Sequence, residues 1–324
     1  MNLRHRPLSI VAHGADGLPE RTLEDRFELE PRPVPARSRD RRVLVTAWVL
    51  TLVLSGLPMI LLAGVTGRPA GSLSGWVLVY TTPLLALVWF WPPSRPLRRY
   101  MVVMLAVFGV AYLLPPLLRA WLPDDGAVLT RLLLGKTVFV LEALVFAALL
   151  VKGLGLTRRE AFLTAGNMSA RTRLRWPGTR RQVSWAVVAV SSALVLSALL
   201  AVATWPASGL GTRPLQAVVP WIPVILVCAA FNAFGEEVIY RSGPLATLMG
   251  VVGSTQALLL TSLWFGLAHY FGSVPDGAAG VVASGGLALL LGGTMLATKG
   301  LAWPWLMHIA VDTAIFISIA LATV

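Results

Sequence analysis

The sequence predicts an all-α polytopic membrane protein with about eight or nine transmembrane helices. Of its 324 residues, 56% are hydrophobic and only 13% are charged, and the mean hydropathy is +0.74. Ordinary soluble domains carry about 25% charged residues, so this composition indicates a multispanning membrane protein. Nine apolar stretches approach or reach the roughly 17–25 residues with which a helix crosses a bilayer. They lie near residues 43–65, 73–91, 101–118, 132–151, 183–203, 217–239, 253–271, 280–297 and 303–323.

The basic residues fall mainly on one side of these nine spans. With the N-terminus placed in the cytoplasm, most of the 27 Lys and Arg residues lie in segments 1–42, 92–100 and 152–182, which all face inward. This asymmetry predicts a cytoplasmic N-terminus and an outward C-terminus, in the plasma membrane. The net charge of +12 is then a topology signal and a source of attraction to anionic lipid headgroups. Because no aromatic–basic binding module accompanies it, we expect no nucleic-acid partner.

The chain is expected to divide into four parts. Residues 1–42 mix acidic and basic residues with several prolines, which is typical of a disordered cytoplasmic tail. Residues 43–151 hold four spans, 152–182 form a basic cytoplasmic linker, and 183–324 hold the remaining five spans. Within the linker, residues 157–166 are compatible with a short amphipathic helix on the inner leaflet or with a solvated loop.

Three isolated side chains in the fourth and sixth predicted spans are ambiguous. Glu142 lies in the middle of a span, where it either pairs with a cation or is protonated. Lys136 is nearer the outer end of that span, and its long side chain is expected to snorkel to the membrane surface. Cys228 is the one cysteine, so it excludes an intrachain disulfide and is interpreted as a small packing residue.

The first cluster of chemical interest is Glu236, Glu237 and Arg241. Ionisable groups at membrane depth are costly, and they usually mark a functional site that faces the bundle interior. Glu237 and Arg241 have the i,i+4 spacing of a helical ion pair. Glu236 points about 100° away on the helix, so it has no cation of its own and can act as a base toward water. On its own, the cluster is also compatible with charges that end a span.

Two further pairs carry histidines at helical spacing. Phe265 and His269 share one helical face, and alone this pair is typical of an interfacial packing residue. His308 and Asp312 share a face in the last span, at a spacing that suits two ligands of one metal or an acid that orients an imidazole.

The spacing between these pieces makes convergence feasible. Glu236 and His269 are separated by a segment with Gly250 and Gly253 near its midpoint. A helical hairpin that turns at these glycines has two arms of roughly equal length, and it returns His269 to the level of Glu236. Span counting, however, places Glu236 near the inner face and His269 at the end of a span that leads outward. A kink at Gly243-Pro244 or a helix longer than the bilayer would reconcile the two positions.

These residues, in this order, resemble the CAAX prenyl protease and bacteriocin-processing (CPBP) family of intramembrane proteases, also called the abortive-infection family. Its signature consists of Glu-Glu-x-x-x-Arg, Phe-x-x-x-His and His-x-x-x-Asn/Asp on three separate membrane helices, and the chain contains all three. The resemblance covers about residues 183–320. It implies an intramembrane catalytic bundle that hydrolyses peptide bonds close to the membrane, as an endopeptidase and possible metalloprotease.

The resemblance also implies the roles of single residues. Glu236 is the base that activates water, aided by His269, and His308 and Asp312 complete the site. The remaining motif members support this site, namely Glu237 and Arg241.

Two versions of the family mechanism remain open for this chain. In the metal-free version the last His and an Asn donate hydrogen bonds to the oxyanion, but this chain has Asp312, and an ionised carboxylate cannot donate. A protonated Asp312 would restore the donor. Otherwise the substitution favours Asp312 as the residue that orients His308, or a divalent metal such as Zn²⁺. The candidate metal ligands are Glu236, His269, His308 and Asp312.

The expected partner is a membrane-associated protein or peptide substrate within the lipid bilayer. The Arg-rich, Lys-poor composition is typical of a high-GC bacterium, where family members mature peptides or confer immunity to bacteriocins. The alternative is a catalytically silent membrane scaffold or bacteriocin-immunity partner, which has no reason to keep buried charges. A transporter is the third hypothesis, but it predicts paired repeats that the sequence lacks.

Overall fold

Helices form most of the structure in this computed structural model, which describes residues 40–69, 74–115, 128–208, 215–271 and 275–323. The first half of the described chain contains α1 (Arg41–Val53), α2 (Leu57–Thr66), α3 (Ser74–Phe90), α4 (Arg98–Phe108) and α5 (Val128–Ala148). The second half contains α6 (Trp185–Ser208), α7 (Ile222–Glu236), α8 (Gly243–Val252), α9 (Ser254–Ala268), α10 (Gly277–Thr298) and α11 (Ala302–Thr323). The tail predicted at 1–42 falls almost entirely outside the described residues.

Six helical segments of the described chain are long and apolar enough to cross a membrane, or seven if the bent pair α1 and α2 counts as one span. The all-α polytopic prediction is therefore confirmed, whereas the predicted count of eight or nine spans is not. The difference arises at two predicted spans, 73–91 and 253–271. Their helices α3 and α9 have 17 and 15 residues. At 1.5 Å per residue they are shorter than the roughly 30 Å of a hydrocarbon core.

The span predicted at 217–239 is longer than expected. It runs from Val219 to Val252, 34 residues, through α7, a π-helical turn at Glu237–Ser242 and α8. Pro244 lies in the first turn of α8, where its missing N–H and fixed φ are tolerated, so the helix continues through the predicted kink. Glu236 consequently lies at the middle of a long span and not near its inner end.

The predicted helical hairpin forms at Gly253. This residue separates α8 from α9 and has φ +83°, a conformation that glycine adopts without a Cβ penalty. The helix α9 then runs back along α8. The sequence prediction of a turn at these glycines is thus confirmed, and it returns the end of α9 to the level of the π-helical turn.

The linker does not form the amphipathic helix that was one of its two predicted states. Residues 156–166 make irregular turns, and Ala161 and Phe162 are buried against the helices. Ser242 Oγ donates a hydrogen bond to the Ala161 carbonyl, which ties the linker to the π-helical turn. Beyond it, a two-stranded antiparallel hairpin of β1 (Arg171–Arg175) and β2 (Gln182–Ser184) precedes α6. This hairpin is a small exception to the all-α prediction.

A close backbone approach fastens the linker to the turn between α10 and α11. The Asn167 amide donates to the Thr298 carbonyl at 2.7 Å, and the Leu301 amide donates to the Thr164 carbonyl at 2.8 Å. Gly166 has φ +81°, and a Cβ there would lie 2.6 Å from Thr298 O. Only glycine fits both the conformation and the space.

Replacing Gly166 with alanine is expected to destabilise the protein by more than the same change at Gly155. Gly155 also has a positive φ, +68°, but no atom lies within 4 Å of its Cβ position, so Gly155→Ala incurs only the left-handed penalty of roughly 1–2 kcal/mol. Thermal unfolding of the two purified variants measures the difference. Equal shifts in Tm would show that the close backbone contact between Gly166 and Thr298 contributes nothing to stability.

The packing of the long helices brings three functional segments together. The helix α7 packs between α5 and α11, and α9 packs on both α8 and α10. The end of α7, the end of α9 and the first half of α11 therefore meet inside the bundle.

Candidate active site

The predicted ion pair between Glu237 and Arg241 is present and buried. Arg241 Nη1 donates to Glu237 Oε1, and their side chains are 2% and 0% exposed. The guanidinium carbon of Arg241 also lies 5.0 Å from the centre of the Phe265 ring, a cation–π distance. Two charges that pair inside the bundle are held without contact with lipid, as the i,i+4 spacing indicated.

Glu237 also orients His308, a role that the sequence prediction gave to Asp312. The same oxygen, Glu237 Oε1, lies 2.8 Å from His308 Nδ1. Because an ionised carboxylate only accepts, Nδ1 must carry the proton in this contact. The result is a buried chain of Arg241, Glu237 and His308 that fixes the orientation of the imidazole ring.

The other ring nitrogen of His308 faces two carboxylates. Nε2 lies 3.5 Å from Glu236 Oε2 and 3.7 Å from Asp312 Oδ1. Both distances are longer than a normal hydrogen bond. The imidazole and the two carboxylates therefore surround one small space but are not hydrogen-bonded to each other. Asp312 therefore lies near Nε2 of His308, whereas Glu237 contacts the other ring nitrogen, Nδ1.

Asn232 joins the two carboxylates and was not identified from the sequence. Its amide nitrogen Nδ2 donates to Glu236 Oε1 at 3.1 Å and to Asp312 Oδ2 at 3.0 Å. One neutral donor between two like charges reduces their repulsion and holds them at a fixed separation. The signal was available, since Asn232 lies one helical turn before Glu236 on the same face of an apolar segment.

Lys136 reaches the site from α5, which corrects the prediction that it snorkels. Its Nζ donates to Asn232 Oδ1 at 2.5 Å. The ammonium also lies 5.8 Å from the ring centres of Phe139 and Phe316. Lys136 thus determines which side of the Asn232 amide presents oxygen and which presents nitrogen.

His269 lies beside the site on the far side of Phe265. It caps the end of α9 and is half-buried, and its ring centre is 4.3 Å from that of Phe265. The Phe265 ring is also 6.4 Å from the His308 ring, so the two imidazoles flank one aromatic side chain. His269 Nδ1 lies 2.8 Å from the Phe265 carbonyl, which accepts and so places the proton on Nδ1.

The three carboxylates differ in their access to solvent. The side chain of Glu236 is 13% exposed, that of Asp312 is 6% exposed and that of Glu237 is fully buried. Glu236 is therefore the carboxylate that water or substrate reaches most readily.

Glu142 is half-buried on α5, and it makes no hydrogen bond or ion pair with these residues in the described part of the chain. The side chain is thus near the bundle interior but outside the network of Glu236, His308 and Asp312.

The predicted metal ligands do not form a metal-binding group in the part of the chain that the structure describes. No three or more His, Cys, Asp or Glu side chains there are arranged so that they could hold an ion. His308 uses Nδ1 toward Glu237, and His269 uses Nδ1 toward a backbone carbonyl. Asp312 and Glu236 are both engaged by Asn232. We therefore assign no reaction step to a metal.

Comparison with known proteins identifies a domain that contains most of this site. Residues 218–314 match the family model described as type II CAAX prenyl endopeptidase Rce1-like. The match is consistent with the CPBP resemblance. It leaves out Lys136 and includes the remaining polar residues of the site, namely Asn232, Glu236, Glu237, Arg241, His269, His308 and Asp312. Searches of curated proteins and of solved structures gave no match.

Proposed function

We propose that this multi-pass membrane protein, whose residues 218–314 form an Rce1-like domain of the type II CAAX prenyl endopeptidase family, hydrolyses peptide bonds with Glu236 as the base. The family supports an intramembrane endopeptidase. The observation that supports Glu236 as the base is the exposure of its side chain. It is more exposed than the side chains of Glu237 and Asp312, and its Oε2 lies 3.5 Å from His308 Nε2.

In the proposed reaction, Glu236 accepts a proton from a water molecule that attacks the scissile carbonyl. The carbonyl oxygen becomes an oxyanion, the C–N bond breaks, and Glu236 returns the proton to the leaving amine nitrogen. Atoms balance with water as the only co-substrate.

The neighbouring residues fix the geometry of this step. Glu237 and Arg241 hold the His308 ring so that Nε2 faces the reacting space, where its protonated form would donate to the oxyanion. Asn232 restrains Glu236 and Asp312 together. An active-site constellation gains most from such restraint, because misplacement by about 1 Å can lower a rate on the order of 100-fold.

His269 is proposed to assist from the side of Phe265. This assistance is the role that the family resemblance implies, and the contacts of His269 with the Phe265 carbonyl and ring hold it next to the site. The substrate is proposed to be a membrane-associated protein or peptide, at the plasma membrane with the N-terminus of the chain in the cytoplasm.

The experiment that tests the function is cleavage of membrane-peptide substrates by the full chain reconstituted in lipid nanodiscs. Cleavage by the parent and its loss in Glu236→Gln would support the proposal. No cleavage by the parent across a diverse peptide set would favour the silent scaffold. A parallel sample treated with a chelator tests metal assistance, which stays a prediction. Full activity without bound metal would exclude a required Zn²⁺.

Lys136→Met is expected to lower kcat about tenfold and to leave KM nearly unchanged. The change leaves Asn232 Oδ1 without its charged donor, which is worth roughly 1–3 kcal/mol, and frees the amide to rotate away from the carboxylates. Lys136→Arg should recover part of the loss, because it restores a cationic donor. Lys152 is exposed near the end of the same membrane span, Val128–Gly153, so Lys152→Met is the matched control. A loss confined to protein abundance, with kcat intact, would contradict the positioning role.

A further inference from the structure

The hairpin of β1 and β2, which directly precedes α6, carries an unusual density of exposed arginines. The linker segment 152–182 contains one acidic residue, Glu160, and its carboxylate accepts from the Thr157 amide and hydroxyl within the same turn. The exposed arginines of the hairpin are Arg171, Arg173, Arg175, Arg180 and Arg181. The hairpin is therefore a concentrated positive surface.

Four of these arginines surround one concave site of about 360 Å³. It is lined by Arg171, Arg175, Arg180, Arg181 and Gln182, and we call it the arginine cradle. Arg171 Nη1 donates to the Gln182 carbonyl at 3.1 Å, which holds its guanidinium across the hairpin. The Trp176 amide donates to the Arg181 carbonyl at 3.0 Å, which closes the turn. Four arginines thus line one opening, and its lining includes no carboxylate.

The cradle is fixed at the surface of the membrane. The strand β2 ends at Ser184, and the span of α6 begins at the next residue, Trp185. The Trp185 amide donates to the Ala170 carbonyl at 2.9 Å, and the Asn167 amide donates to Thr298 at the end of α10. Because the ends of two spans flank the base of the hairpin, the cradle lies at the level of the lipid headgroups.

Two exposed apolar side chains lie next to these arginines in the chain. Leu174 belongs to β1, and Trp176 directly follows the strand. Leu174 is 64% exposed and Trp176 is 45% exposed. Trp is enriched at membrane interfaces, and arginine beside it reaches phosphate groups. The hairpin therefore combines exposed apolar and basic side chains, as an interfacial element does.

We propose that the arginine cradle binds the phosphate headgroup of an anionic phospholipid. Guanidinium groups form paired hydrogen bonds to phosphate oxygens, and a cavity of this volume is large enough for a phosphoglycerol headgroup. The acyl chains of the same lipid would lie along α6, with Leu174 and Trp176 at the interface. This site is separate from the carboxylates of the proposed active site, so it does not depend on the proposed function.

The test measures lipid retention by the full chain with native mass spectrometry. Protein released from detergent is titrated with phosphatidylglycerol or with phosphatidylcholine, and the bound copies are counted. We expect tight binding of the anionic lipid alone. The variant Arg175→Gln/Arg180→Gln/Arg181→Gln should weaken that binding on the order of 100-fold, since each arginine next to an anionic headgroup contributes about fivefold. The charge-conserving triple Arg→Lys variant should retain part of the affinity.

The matched control is Lys152→Gln/Arg158→Gln/Arg159→Gln, which removes the same charge from exposed positions of the same linker. It should leave retention of phosphatidylglycerol unchanged. Equal losses in the two triple variants would overturn the proposal, because they would show that net charge alone attracts the lipid. Equal retention of phosphatidylcholine, or full displacement of the lipid by excess inorganic phosphate, would also overturn it, the latter in favour of a soluble phosphate ligand.

Discussion

Glu236→Gln is expected to lower turnover by roughly 10²–10⁴-fold while abundance and Tm stay close to those of the parent. Glutamine keeps the shape of the side chain and can still accept from Asn232, but it cannot take a proton from water. The side chain is partly exposed and makes no salt bridge with a Lys or Arg in the described residues, so its replacement strands no buried cation. Peptide cleavage in nanodiscs and thermal unfolding measure the two quantities.

Glu142→Gln is the matched control for this variant. It makes the same chemical change in another membrane helix, but Glu142 lies outside the hydrogen-bonded network of the site. We expect turnover near that of the parent. If Glu236→Gln cleaves as fast as the parent, Glu236 is not the base. If both variants lose activity equally, carboxylates in the spans act through a general electrostatic effect and not through a positioned base.

Arg241→Met is expected to destabilise the protein by about 3–5 kcal/mol, the largest stability effect that we predict. Methionine fills a similar volume, but it leaves the buried carboxylate of Glu237 without its cation. It also removes the cation from the face of the Phe265 ring. Thermal or denaturant unfolding of the purified variant in detergent measures the loss.

The double variant Glu237→Met/Arg241→Met separates stability from positioning. Removal of both charges should recover much of the stability, because no unpaired ion remains in the bundle. Turnover should stay low, since His308 loses the acceptor that orients its ring. The exposed Arg99→Met is the control and should change stability by no more than about 0.5 kcal/mol. A double variant no more stable than Arg241→Met would contradict the ion-pair argument.

The sequence predicts the contacts that lie within one helix or across one turn. Glu237 and Arg241 pair as their i,i+4 spacing requires, and α8 turns back at Gly253 as its position between two apolar segments indicates. The sequence also gives the order of the polar site residues along three helices. The family match over residues 218–314 agrees with this order. These features are local, because helical periodicity and glycine conformation do not depend on distant parts of the chain.

The predicted number of spans was wrong because some apolar helices are shorter or longer than the thickness of a membrane. The short helix α9 was counted as a span, and the long segment Val219–Val252 was cut at 239. A hydropathy pattern records which residues avoid water, but a buried helix and a membrane-crossing helix share that pattern. The apparent conflict between the depths of Glu236 and His269 came from this misassignment.

The sequence by itself determined the membrane class of this protein, the order of its acidic, basic and histidine motifs, and the hairpin that connects two of them. Only the tertiary structure decided the partners of these groups: Glu237 and not Asp312 orients His308, and Asn232 and Lys136 belong to the site. The pairs involved lie 71, 80 and 96 residues apart along the chain. Periodicity fixes which side chains share a face of one helix, whereas the packing of α5, α7 and α11 fixes which faces meet.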